Sequence, residues 1–134
     1  MLTPGPPYKL KLDTFDAAQR LFEDWLSLAD PTRECLWTAH VDGSGDCLYF
    51  AEHQGDECGG AFPLKKIVAD ALEYHAAGIL LAHNHPSGDP RPSASDCQAT
   101  RRLATAAEAL NCRVLDHLIF AGGGCTSFQK LGLL

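Results

Sequence analysis

The chain has 134 residues, of which 46% are hydrophobic and 21% are charged, and its formal net charge is −6. This length suits one domain, and the proportions are ordinary for a soluble globular protein. The acidic balance disfavours binding to nucleic acid, because contact with phosphates requires a basic surface. No stretch approaches the roughly 20 apolar residues of a membrane span, and the N-terminus lacks the pattern of a signal peptide. We therefore expect a cytoplasmic protein with no membrane partner.

The N-terminal end and the cysteines bear on domain organisation. Residues 1–12 are rich in proline and glycine and predict a flexible arm, while residues 13–134 predict a single domain. The six cysteines lie at least 11 positions apart, so the sequence contains no Cys-x-x-Cys pair. Because a domain of this size in a reducing compartment does not need disulfides, we predict free, mostly buried thiols.

The apolar pattern predicts an order of helix, hairpin, helix, strand, loop, helix and strands. A first helix follows a cap at Asp13 or Thr14, since apolar residues then recur at three- and four-residue spacing and Asp30-Pro31 ends the pattern. The remaining predicted elements are a hairpin of strands 34–42 and 46–52, an uncertain strand near 58–62, a helix from Pro63 that Gly78 stops, a strand at 79–83, a helix from Ser93 to about Leu110, and strands at 112–121 and 125–128.

This order predicts an α/β or α+β sandwich in which a mixed sheet lies between helices. The sequence shows no internal repeat and no second domain. The strand at 46–52 or the first helix could serve a homodimer, and the pattern does not decide between a monomer and a dimer.

A cluster of metal-ligand residue types follows the buried strand. That strand ends at His83, and His85 points to the same face because residues two apart on a strand do so. A Pro/Gly-rich turn then leads to a helix that begins at Ser93 and carries Asp96 in its first turn. Zinc accepts imidazole nitrogen and carboxylate oxygen, and three protein ligands without a fourth are typical of a catalytic zinc. The alternative is that Ser93 and Asp96 only form the capping box of a helix.

Residues 83–96 match the pattern His-x-His-Pro-x6-Ser-x-x-Asp, which is the signature of JAB/MPN+ (JAMM) metalloproteases. The longer string His-Asn-His-Pro-Ser-Gly-Asp-Pro, together with Asp116-His117 further along, resembles the RadC branch of that superfamily. The similarity covers about residues 30–134. It implies an MPN/JAB fold, with a mixed sheet between helices and cytidine-deaminase-like layering.

The resemblance also implies a site chemistry. His83, His85 and Asp96 would hold a zinc ion that lowers the pKa of its bound water from ~15.7 toward ~7. Glu34 would be the general base, with Glu52 on the returning strand as the rival candidate. Ser93 would donate a hydrogen bond to the developing oxyanion. The expected reaction is hydrolysis of a peptide or isopeptide bond in a peptide or protein substrate, although ligand type alone also permits iron, cobalt or manganese.

Two other functions compete with a peptidase. A non-enzymatic protein-binding module would not require an intact set of metal ligands. A DNA-repair role, historically attached to RadC proteins, conflicts with the acidic charge, and the helix-hairpin-helix module of longer RadC proteins is not expected here. Four further histidines show no ligand spacing and are assigned structural roles: His40, His53, His75 and His117. As an alternative for the last of these, Asp116-His117 would support the metal site from a neighbouring strand.

Overall fold

The computed structural model describes residues 10–54 and 62–134. The elements in chain order are α1 (Phe15–Leu28), β1 (Cys35–Val41), β2 (Cys47–Gln54), α2 (Leu64–Glu73), β3 (Gly78–Asn84), α3 (Ala94–Ala109), β4 (Arg113–Ala121) and β5 (Gly124–Ser127). Residues 1–9 of the predicted arm and residues 58–61 of the uncertain strand lie outside the described residues. The division into an arm and one domain stays a prediction. No described helix is long and apolar enough to cross a bilayer.

The five strands form one mixed sheet in the order β2-β1-β3-β4-β5. The central pair β3–β4 is parallel, and the other neighbours are antiparallel. A parallel pair needs a crossover connection, which the loop after β3 and the helix α3 provide. This layered α/β arrangement confirms the predicted fold class. The crossover also brings the start of α3 back toward the carboxyl end of β3.

The two faces of the sheet carry separate hydrophobic clusters. One cluster joins α1 to the sheet through fully buried Phe22, Trp37 and Phe50, and the other joins α2 and α3 to it through Ile67 and Leu103. Burial of a side chain of this size stabilises a fold by about 1.5–3 kcal/mol. Strand β3 contributes to both clusters, because successive side chains alternate between the faces. The continuous apolar run that predicted a buried strand is thereby explained.

The helix starts agree with the sequence, but one helix end does not. Thr14 and Ser93 cap α1 and α3, and each hydroxyl accepts a hydrogen bond from a backbone N–H in the first turn. The second helix ends at Glu73 rather than continuing to Gly78, because His75 turns into the left-handed region with φ 53°. Gly78 is instead the first residue of β3. A Cβ atom there would lie 2.7 Å from Leu115 Cδ1, so a larger residue would force the Leu115 side chain to move.

Cys47, Cys97, Cys112 and Cys125 are free thiols. Cys35 and Cys112 are buried, while Cys47, Cys97 and Cys125 are partly exposed. Burial raises the pKa of the Cys125 thiol to about 11, with the Glu23 and Asp116 carboxylates adding to the effect. This thiol is therefore protonated at neutral pH and a poor nucleophile.

Candidate metal centre

Three polar atoms meet at the carboxyl end of β3. His83 is at the end of the strand, and the His85 backbone N–H extends the ladder by donating to the Phe120 carbonyl at 2.9 Å. The Nε2 atoms of His83 and His85 lie 2.9 Å apart. Asp96 Oδ2 enters from the first turn of α3 and lies 3.1 Å from His85 Nε2 and 3.4 Å from His83 Nε2. The structure therefore brings together the three residues predicted as ligands.

The proline- and glycine-rich loop fixes the orientation of His85. Its Nδ1–H donates to the Asp89 backbone carbonyl at 2.8 Å. Because a carbonyl can only accept, Nδ1 carries the proton, and a neutral ring then has its lone pair on Nε2. Asp89 is itself held by Arg91 through hydrogen bonds to the guanidinium and the backbone N–H. The loop thus presents the Nε2 lone pair of His85 toward Asp96.

His83 is oriented by a chain of buried polar groups. Its Nδ1 lies 2.6 Å from His117 Nε2, and His117 Nδ1 lies 2.7 Å from the Thr100 hydroxyl. Thr100 in turn donates to the Asp96 backbone carbonyl at 2.8 Å. Burial lowers the pKa of His117 well below its ordinary value, and the neighbouring His83 lowers it further, so the ring is neutral.

Asp96 combines two roles that the sequence had presented as alternatives. Its carboxylate accepts the Ser93 backbone N–H at 2.9 Å, and its backbone N–H donates to the Ser93 hydroxyl at 3.0 Å, which completes a capping box. The same oxygen, Oδ2, contacts both histidines. Burial alone would raise the pKa of Asp96, but hydrogen bonds from His83 and the Ser93 backbone outweigh it and hold the pKa below its usual range. The carboxylate is therefore ionised at neutral pH.

The chemistry of these donors fits a divalent cation. Two imidazole Nε2 atoms and one ionised carboxylate oxygen converge at 2.9–3.4 Å, so three atoms of metal-ligand type lie at one point. When both Nε2 atoms are unprotonated, a cation between the three atoms is attracted to all of them. Tetrahedral zinc, with bonds of about 2.0–2.1 Å, places its ligand atoms about 3.3–3.4 Å apart. The observed separations lie within about 0.5 Å of this spacing.

Glu34 lies beside the histidines and is held there by Asn84. A Glu34 carboxylate oxygen, a His83 nitrogen and a His85 nitrogen all lie within 4.8 Å of one another, and the Glu34 side chain is exposed. It directly precedes β1. The buried Asn84 side chain brackets it: Oδ1 accepts the Cys35 N–H at 2.7 Å, and Nδ2 donates to the Arg33 carbonyl at 2.9 Å. The backbone on both sides of Glu34 is thus tied to the strand that carries His83.

The rival general base, Glu52, lies elsewhere. It is on β2 opposite Trp37, and its carboxylate accepts the Trp37 indole N–H at 2.9 Å. Trp37 belongs to the cluster under α1, whereas His83 continues the β3 face that packs against α2 and α3. The position of Glu34 therefore supports it over Glu52 as the general base, and the role itself stays a prediction.

Two residues that shape the site, Asn84 and Thr100, were not given a role there from the sequence. Asn84 lies between the two histidines of the motif, yet its partners are 49 and 51 positions away in the chain. His117 had been assigned a structural role, with a place beside the site as the alternative; it contacts His83, and Thr100 contacts His117. Asp116, by contrast, points away and accepts hydrogen bonds from Ser127 and Gln129 near the C-terminus.

Comparison with known proteins agrees with this architecture. Residues 13–133 match the family model described as the RadC-like JAB domain. The chain is 38% identical over 106 residues to a UPF0758 protein of Bordetella avium, covering 78% of this chain and 46% of that protein. A UPF0758 protein of Trichlorobacter lovleyi is 47% identical over 125 residues, covering 92% of this chain and 54% of that protein. The chain thus spans about half the length of these relatives, whose names state no activity. By its family match and its fold, the chain belongs to the RadC-like JAB domain family.

Proposed function

We propose that this domain is a zinc-dependent hydrolase of peptide or isopeptide bonds. The observation that carries the proposal is the convergence of His83 Nε2, His85 Nε2 and Asp96 Oδ2, with the Glu34 carboxylate beside them. Membership of a JAB-domain family is consistent with a metal-dependent hydrolase. The proposal adds two points to this family-level activity, namely that the substrate contains an amide bond and that the metal is zinc.

The assignment of the two carboxylates follows from their positions. Asp96 is partly buried, ionised and in direct contact with both histidines, as a metal ligand requires. Glu34 is exposed to solvent, and its carboxylate lies within 4.8 Å of a nitrogen of each histidine, so it could accept a proton from a water bound at the site. His83, His85 and Asp96 would hold a zinc ion, which would supply Lewis acidity and lower the pKa of a water at the site.

The protein groups around that water perform the proton transfers. Glu34 accepts a proton as the water oxygen adds to the carbonyl carbon of the substrate. It then delivers this proton to the amide nitrogen, so that the carbon–nitrogen bond breaks and a neutral amine leaves. Ser93 uses its hydroxyl oxygen as an acceptor in the helix cap, and its hydroxyl hydrogen is left to donate to the oxyanion that forms on the carbonyl oxygen.

Metal content is the first test. The purified wild type should contain about one zinc per chain, and the His83→Ala and Asp96→Asn variants should lose it while keeping their circular dichroism. Asp16→Asn is the matched control, because Asp16 is likewise an acidic residue in the first turn of a helix, away from the site. A wild type that stays metal-free after incubation with zinc would refute the proposal.

Hydrolysis is the second test. Incubation of the zinc-loaded protein with a peptide library that includes ε-linked lysine conjugates should yield cleaved products by mass spectrometry. Glu34→Gln should keep the zinc and lose about 10²–10⁴-fold in rate, since a general base contributes roughly that factor. Cleavage that persists at the wild-type rate in Glu34→Gln would assign the base to another residue. A zinc-binding protein that cleaves no member of the library would disfavour an amide substrate.

A further inference from the structure

We infer that a groove between α2 and α3 is a docking site for an acidic peptide segment that also carries apolar side chains. Such binding needs neither a metal ion nor hydrolysis, so the inference goes beyond the proposed function. Two adjoining cavities of about 420 and 620 Å³ form the groove, and both are lined by Leu64, Arg102 and Ala106. The surface that these cavities make, called the α2–α3 groove below, is lined further by Phe62, Lys65, Val68 and Arg101.

The floor of the α2–α3 groove is apolar and incompletely covered. Phe62, Leu64 and Val68 pack against the hydrophobic cluster that includes Ile67 and Leu103, yet each of these three side chains is only half-buried. Apolar surface that water still reaches gains free energy when a partner covers it. The floor therefore favours a ligand with apolar side chains.

The rim of the groove carries positive charge that no described carboxylate balances. Lys65, Arg101 and Arg102 are exposed, and none of them forms an ion pair with a residue that the structure describes. The described residues that line the groove include no aspartate or glutamate. Along α3, neither arginine has an acidic residue three or four positions away, where helical ion pairs form. The groove is thus a local positive surface on a chain whose net charge is −6.

The start of α2 adds to this positive potential. Among the described residues, no side chain caps the start of α2, and its first turn contains no acidic residue. The N-terminal end of a helix carries partial positive charge, so Lys65 lies where a cation is unfavourable. A carboxylate bound beside Lys65 would be attracted both to the ammonium group and to the helix end. The helix end and the three side chains together therefore favour an anionic ligand.

The combination of rim and floor favours a peptide over nucleic acid. Affinity for nucleic acid comes chiefly from many contacts with phosphates, and this groove offers three cations on an acidic protein. A phosphate backbone has no apolar side chains to cover Phe62, Leu64 and Val68. A peptide that contains glutamate or aspartate together with leucine or phenylalanine matches both parts of the groove.

Fluorescence anisotropy with labelled peptides tests the inference. The probe is a short synthetic peptide with equal numbers of glutamate and leucine residues, and its matched peptide has glutamine in place of each glutamate. The wild type should bind the glutamate peptide more tightly than the glutamine peptide, and added salt should weaken that binding. The Arg101→Gln/Arg102→Gln variant should bind it about 4–25-fold more weakly, since each exposed ion pair is worth a factor of about 2–5.

A matched pair of arginines controls for overall charge. Arg20 and Arg113 are also exposed but do not line the groove, so Arg20→Gln/Arg113→Gln should bind the peptide like the wild type. His83→Ala should do so too, and loss of the proposed metal site therefore leaves this test intact. On titration with the glutamate peptide, amide chemical-shift changes should cluster at Leu64, Arg102 and other residues of the groove.

Several results would overturn the inference while leaving the proposed function standing. These are equal affinity for the two peptides, equal weakening in the two arginine pairs, shift changes that lie away from the groove, and tighter binding of a single-stranded oligonucleotide of the same charge. Binding seen only in Asp56→Asn/Glu57→Gln would also overturn it. That result would assign the groove to two acidic residues of the same chain, which lie outside the described residues.

Discussion

Replacing Asn84 with alanine should make the position of Glu34, the general-base candidate, less fixed without removing a metal-ligand candidate. Asn84 is 4% exposed, and its side chain forms the two hydrogen bonds on either side of Glu34: Oδ1 accepts from the Cys35 N–H at 2.7 Å, and Nδ2 donates to the Arg33 carbonyl at 2.9 Å. Glu34 precedes β1 and is exposed, so packing does little to fix it. Its distance from His83 and His85 therefore depends on this amide.

The magnitude of the effect follows from the two bonds. A buried backbone group that loses its partner costs about 1–3 kcal/mol, so loss of both bonds in Asn84→Ala should lower the free energy of unfolding by at most about 2–6 kcal/mol. The part-buried Arg33 carbonyl lies toward the low end of this range, because water can replace its partner. A displacement of about 1 Å at a reacting group can reduce a rate by about 10²-fold. We expect a folded variant that keeps its zinc and hydrolyses substrate about 10²-fold more slowly.

Amide hydrogen exchange and a double-mutant cycle are the assays. The Cys35 N–H should exchange much faster in Asn84→Ala, while the amides of β3 that pair with β4 stay protected. If Asn84 acts through Glu34, adding Asn84→Ala to Glu34→Gln should slow hydrolysis little further. Fully multiplicative rate losses, or unchanged protection of Cys35, would refute the reasoning.

Three further perturbations test other parts of the structure. Burial lowers the pKa of His40 to about 4, against an opposing effect of Asp70, so the unfolded chain binds the proton more tightly than the folded one. The free energy of unfolding should therefore rise by up to about 3 kcal/mol between pH 4 and 6.5. Urea unfolding of His40→Leu should show a smaller rise over this range, and a pH profile identical to that of the wild type would contradict the argument. Thr14→Ala should lower the free energy of unfolding by about 1 kcal/mol through loss of the α1 cap, and an unchanged melting temperature would count against it. Glu52→Gln should leave hydrolysis near the wild-type rate, whereas an effect as large as that of Glu34→Gln would make Glu52 the base.

Local signals explain why much of the fold could be predicted from the sequence. A capping residue followed by apolar residues at helical spacing predicted the start of α1 at Asp13 or Thr14, of which the structure uses Thr14, and the start of α3 at Ser93, because both starts depend on contacts within one turn. The apolar run of β3 predicted a strand buried on both faces. The end of α2 was missed, since Gly78 stops a helix in the sequence pattern but serves close packing against Leu115 in the structure.

The parts of the site that could not be predicted depend on strand register. His117 meets His83 only because β4 pairs with β3 in parallel at a particular register, and α3 lies over both strands so that Thr100 reaches His117. Asn84 reaches Arg33 and Cys35 only because β1 neighbours β3 on the other side. No spacing within the motif encodes either relation. The ligand pattern itself was visible because its members lie within 14 residues around one turn.

The alternation of side chains along a strand explains why three consecutive residues have separate tasks. His83 and His85 point to the face covered by α3, where Asp96 and His117 complete their surroundings, while Asn84 points to the opposite face and binds the backbone beside Glu34. A slip of β3 by one residue would exchange these faces and separate all the contacts at once. Because β3 is the central strand and is buried along its length, both hydrophobic clusters oppose such a slip. The most strongly packed strand of the fold therefore fixes the relative position of the metal-ligand candidates and the general-base candidate.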